Sequence, residues 1–116
     1  MSDPDINNDI AEMIRVAGED WAEKDAACYL LHESKTAVLA KQVNDYIDAT
    51  PGTAYNRAES SVKGSRRWFD HLESMSEARK QANLARIRYD ALRAQLNVWQ
   101  TRNQMKRAEQ WANKGV

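Results

Sequence analysis

The chain is short of the residues that interrupt or cross-link a fold. It holds one cysteine, Cys28, in 116 residues. No disulfide can close within it, and a reducing compartment is the simpler setting. Its 2 prolines and 4 glycines leave few places where a helix must stop, since these residues cost most inside one. No apolar run approaches the ~18 residues of a membrane span. The acidic opening MSDPDINNDI lacks the basic and apolar regions of a secretory signal. A cytoplasmic protein is the expectation. Catalytic signatures are missing too: there is no CxxC, no HExxH and no GxxxxGK[ST] phosphate loop. The two histidines, His32 and His71, lie on separate segments without a motif around either. Neither an enzyme nor a cofactor or metal site is expected.

What the chain has in quantity is helix-forming residues with a balanced charge. Hydrophobic residues make up 42% and charged residues 29%, a composition that supports a folded single domain. The 17 Lys/Arg equal the 17 Asp/Glu, but they are not evenly placed. Residues 1–56 hold 4 Lys/Arg against 11 Asp/Glu, a net of −7, and residues 57–116 hold 13 against 6, a net of +7. Either the halves neutralise each other by packing, or each meets its own partner.

Apolar residues recur at helical intervals in both halves. Ile6, Ile10, Ile14, Ala17, Trp21, Cys28, Leu31, Leu39, Val43 and Tyr46 form one stripe. Trp68, Leu72, Met75, Ala82, Ala85, Tyr89, Leu92, Leu96 and Trp99 form the other. Asp3-Pro4 reads as a helix start, and Thr50-Pro51-Gly52-Thr53 as a type II turn. Three parts follow: a helix over about 4–49, a turn at 50–53, and a helical segment over about 54–112 with Gly64-Ser65 as the place for a break. Gly18 is a candidate bend in the first helix. Ser74-x-x-Glu77 has capping-box form, yet the apolar phase runs through it and predicts continuity. The fold class is therefore all-α, an elongated antiparallel helical hairpin. A weaker stripe on the far side of the second helix, Ile87, Ala91, Ala94, Val98 and Met105, leaves that helix apolar on two sides. Dimerisation into a four-helix bundle is the expected remedy.

The same wheel sorts the charges. Arg79, Arg86 and Arg93 are seven apart, and Arg107 continues the register after Gln100. They flank the apolar stripe, where long stems cover a seam and cationic heads reach carboxylates or solvent. Arg102 and Lys106 point away from the seam, as Arg66 and Arg67 do in part, so these are the better contact candidates for a phosphate backbone, with Arg79, Arg86, Arg93 and Arg107 as candidates at the seam's margin. Tyr89 and Trp99 belong to the stripe, whereas Trp111 is free to stack on a base. On the first helix, Glu12, Glu19, Glu23 and Asp48 project from the apolar face. They are either ordinary solvation or an acidic surface shaped for a basic groove. His32 and Cys28 fall near the stripe and read as packing residues. His71 reads as a boundary residue.

A set of these residues resembles a known group. Arg79 with Ala82-Asn83, then Leu92 and Leu96, then Trp99-Gln100-Thr101-Arg102-Asn103 and Arg107-Ala108-Glu109 is similar to small all-helical accessory proteins of phages and prophages. Many of these end in W-[RQ]-T-x-x-x-x-x-R-A-E and carry a Lys-Thr pair in the first helix, as at Lys35-Thr36. The resemblance implies a bacterial host cytoplasm and an early-region gene class of recombination or host takeover, without assigning an activity. Gln100 stands where the group tends to have Arg, which interrupts the basic track. Three roles are in competition. One is an accessory protein of recombination or replication machinery, with or without direct DNA or RNA contact. Another is an inhibitor of a host defence or nuclease complex of the anti-CRISPR kind. The third is a structural virion or assembly protein.

Overall fold

The computed structural model describes residues 3–114, with side chains from residue 9 onward. Four helices make up these residues: α1 (Asp3–Glu33), α2 (Lys35–Ala49), α3 (Tyr55–Lys63) and α4 (Arg66–Lys114). No strand occurs among the described residues. The all-α class is as expected, and so is the break at Gly64-Ser65. The side chains of Asp3 and Ile6, which carry a cap and a stripe position in the sequence reading, lie outside the described ones.

The first segment departs from expectation. Instead of one helix over about 4–49, α1 and α2 are separated at Ser34. The Ser34 hydroxyl donates to the carbonyl of Leu31 at 3.0 Å, the acceptor that the Lys35 N–H uses in an unbroken helix. Ser34 itself relaxes to φ −82°, ψ −6°. Its own N–H still reaches Leu30 O at 3.0 Å, so the break is one residue long. Serine back-bonding of this kind is a known cause of helix bending.

The chain divides into two compact units, Met1–Trp21 with Leu84–Val116, and Ala22–Asn83. In the second unit, α2, α3 and the start of α4 enclose a core of Val43 (0% exposed), Ala58, Val62 and Trp68 (5%), with Val38, Leu39, Tyr46 and Ile47 packed on it. The turn between α2 and α3 sets this geometry. Gly52 has φ +88°, as the third position of a type II turn requires, and the Thr53 hydroxyl donates to Thr50 O at 2.7 Å. Ser65 then starts α4 twice over. Its hydroxyl oxygen accepts the Trp68 N–H at 3.3 Å, a proper N-cap, while the hydroxyl proton goes to Val62 O at 2.6 Å. From there α4 is continuous. Ser74 bonds Asp70 O at 3.0 Å instead of capping a new helix.

In the first unit α1 meets α4 at Gly18. A Cβ placed there would lie 3.3 Å from Cε2 and 3.6 Å from Cδ2 of Tyr89. Gly18 is thus no bend: α1 runs through it unbroken, and its missing side chain permits the close approach. Trp21 packs on the same tyrosine, with ring centroids 5.5 Å apart and planes tilted by 39°. Ala17 and Ala85 are buried, while Ile10, Ile14, Leu92, Leu96 and Trp99 are only half-buried. Leu72, a stripe residue of the other unit, is exposed.

Candidate functional site

The basic residues of α4 separate into engaged and unengaged sets. Arg66 pairs with Asp70 at 2.9 Å and lies over the Phe69 ring, 5.4 Å from its centroid. Arg67 reaches across to Asp45 on α2 at 3.0 Å. Both remain exposed, yet both already hold carboxylates, which weakens them as phosphate contacts. Arg79, though exposed, is held to α1: a guanidinium N–H donates to His32 Nε2 at 3.0 Å. With Nε2 accepting, His32 carries its proton on Nδ1, which lies 3.2 Å from the Cys28 carbonyl. Half-buried His32 is thereby satisfied on both ring nitrogens, and Cys28 is buried beneath it. Arg93 turns back over its own helix, 5.8 Å above the Tyr89 ring, and donates to the Tyr89 hydroxyl at 3.3 Å.

Arg86, Arg102, Lys106 and Arg107 are exposed, and among the described residues none has an ion-pair partner. Trp111 is exposed at 77%. Arg102, Lys106, Arg107 and Trp111 share three helical turns near the end of α4. Beside them Ala94, Gln95, Val98, Trp99 and Arg102 border a shallow hollow of about 370 Å³. The half-buried Trp99 thus offers a ring next to a free guanidinium. This is a surface for an anion or for a stacked planar group.

The acidic residues are partly used up. Arg15 bridges both Glu12, through two hydrogen bonds, and Glu19 at 2.7 Å. These hydrogen bonds hold the Glu12 carboxyl below the ordinary glutamate range, against a smaller opposing effect of desolvation and with added Coulomb attraction from Arg15. Arg15 is raised in turn. Glu23 and Asp48 are exposed and hold no cation among the described residues. Of the four acidic candidates, two are therefore committed within α1. Arg67–Asp45 joins two helices, whereas Arg15–Glu12, Arg15–Glu19, Lys63–Glu59 and Arg66–Asp70 each lie along one.

Two buried polar atoms escaped the sequence reading. Gln42 is buried with Oε1 unpartnered, beside a groove of about 300 Å³ lined by Asp45, Tyr46, Ser61, Ser65 and Arg67. His71 is half-buried against Trp68, ring centroids 5.5 Å apart, and its Nε2 lacks a partner. Its boundary placement fits the sequence, but no pattern marks a polar atom that packing will strand. Among the described residues no group of three or more His, Cys, Asp or Glu is placed to hold a metal, and no helix is long and apolar enough to cross a membrane. No protein-family model, curated protein or solved structure matches the chain.

Proposed function

We propose that this chain is a non-enzymatic accessory binding protein of the phage or prophage class, acting on nucleic-acid-processing machinery through the end of α4. The observation that supports this reading is the contrast within α4. Arg66, Arg67, Arg79 and Arg93 are occupied by partners in the chain, whereas Arg102, Lys106 and Arg107 are exposed without a carboxylate. Cations without a carboxylate partner neutralise phosphates and release counterions when they bind. Trp111 adds an exposed ring for stacking. Of the four acidic candidates, Glu23 and Asp48 remain for the alternative of an acidic surface for a host defence complex, since Arg15 already holds Glu12 and Glu19.

Fluorescence anisotropy with single- and double-stranded DNA, titrated with salt, tests the reading. Binding should weaken steeply with salt. On duplex DNA, the Arg102→Ala/Lys106→Ala variant should flatten the log–log slope by about 2, roughly one for each cation removed. No binding at low salt would refute direct contact. Retention of a host nuclease complex from lysate without DNA would transfer the proposal to the inhibitor role.

A further inference from the structure

α4 carries a second seam that the other described residues leave uncovered. Leu84, Ile87, Ala91, Ala94, Val98 and Met105 lie at alternating three- and four-residue steps, and Thr101, Ala108 and Ala112 complete the heptad. This is the a/d pattern of a helix meant for another helix. Yet Leu84 is exposed at 48%, Ile87 at 58%, Val98 at 51% and Met105 at 60%. Ala91 and Ala94 are exposed as well. The buried side of the same helix, Ala85, Tyr89, Leu92 and Leu96, faces elsewhere. An uncovered apolar stripe of this regularity marks an interaction surface.

We infer that this stripe pairs antiparallel with the same stripe of a second copy of the chain, around a two-fold axis between Val98 and Thr101. Size and charge favour this register. With Val98 opposite Thr101 of the second copy, Ile87 meets Ala112 and Met105 meets Ala94, so both of these bulky side chains face a methyl group. Ala91 meets Ala108, where two small residues let the backbones close up. Flanking positions of one kind face each other in an antiparallel pair. Here they set Arg88 against Glu109 twice, and Gln95 against Arg102 twice. On the other flank Asn97 meets Gln104, and Asp90 meets Trp111. Arg88 and Glu109 are exposed and hold no ion pair within the described chain.

The competing registers are worse for a stated reason. A shift of one heptad brings Arg88 opposite Arg102, or Arg102 opposite its own copy, and like charges at flanking positions disfavour a register. A parallel pair stacks Ala91 on Ala91 and Ala94 on Ala94 beside layers of paired Ile87 and Val98. That spacing is uneven, and it forms no pair of opposite charge across the seam. The antiparallel register also opposes the two helix dipoles. It sets both Arg102–Lys106 clusters on one face of the helix pair, related by the axis.

The test uses the full chain without DNA, so it is independent of the nucleic-acid reading. Sedimentation equilibrium should give a dimer, and Val98→Glu should give a monomer of unchanged helicity by circular dichroism. Arg88→Glu and Glu109→Arg should each weaken the dimer roughly tenfold, since each turns two attractive pairs into two repulsive ones, and the double variant should recover most of the loss. Orientation is read by cysteine cross-linking, with buried Cys28 as the silent background. Ala91→Cys mixed with Ala108→Cys should form the mixed disulfide, and Ala91→Cys alone should form none. A monomer at all concentrations overturns the inference, as does a dimer that persists in Val98→Glu. Self-cross-linking of Ala91→Cys overturns the orientation. If Val98→Glu unfolds the chain, the charge-swap cycle decides: additive losses without recovery refute the register.

Discussion

Gly18 offers a test in which two physical effects oppose each other. On helix propensity alone, Gly→Ala inside α1 should stabilise by about 1 kcal/mol, and Gly→Leu by nearly as much. The packing predicts a different order. An added Cβ sits 3.3 Å from Tyr89 Cε2, a few tenths of an ångström inside comfortable contact. Tyr89 cannot retreat freely, because Trp21 packs on its ring and Arg93 holds its hydroxyl. Gly18→Ala should therefore gain well under 1 kcal/mol. Gly18→Leu must part the helices and should cost about 1–3 kcal/mol, the usual range for overpacking. Urea unfolding followed by circular dichroism measures both. A cycle with Tyr89→Ala isolates the contact: Gly18→Leu should lose most of its penalty in that background, with a coupling of about 1 kcal/mol or more. If Gly18→Leu stabilises the chain, or if the two changes simply add, Gly18 faces no neighbour and the reasoning is wrong.

Other sites carry sharper expectations. Ser65→Ala removes the α4 cap and the bond to Val62 O together, and should cost about 1–2 kcal/mol in the same unfolding assay. Gly52→Ala meets no atom within 4 Å, so its cost should be purely that of the positive φ, about 1–2 kcal/mol. Gly64→Ala should instead be neutral or mildly stabilising, since its nearest neighbour is at an ordinary 3.7 Å and its φ is −91°. Glu12 should titrate below a free glutamate by NMR. Its folded form is favoured while the carboxylate is ionised, and the benefit disappears as pH falls through that lowered midpoint. Arg15→Gln should return the midpoint to the ordinary range.

The sequence reading recovered what depends on spacing along one helix. The stripe through Ala82, Ala85, Tyr89, Leu92, Leu96 and Trp99 is the buried or half-buried side of α4, and Ile87, Val98 and Met105 stay exposed. The turn at Gly52 was legible because only glycine takes that φ without strain. Two features were not legible. Ser34 ends α1 through a hydroxyl bond to Leu31 that nothing in the periodicity distinguishes from a solvent-facing serine. The partners of Arg79 and Arg67, 47 and 22 residues away, depend on the register between helices. Spacing within one helix does not encode that register. The wheel set Arg79 and Arg93 beside the seam and Arg102 and Lys106 away from it, but only packing supplies the partners that hold the first two.

The most direct test of the binding surface is an NMR titration of the full chain with a short DNA duplex at low salt. Shift changes should concentrate at Arg102, Lys106, Arg107 and Trp111, with α2 and α3 left unperturbed. Changes confined to α1 around Glu23, or none at all, would contradict this binding surface.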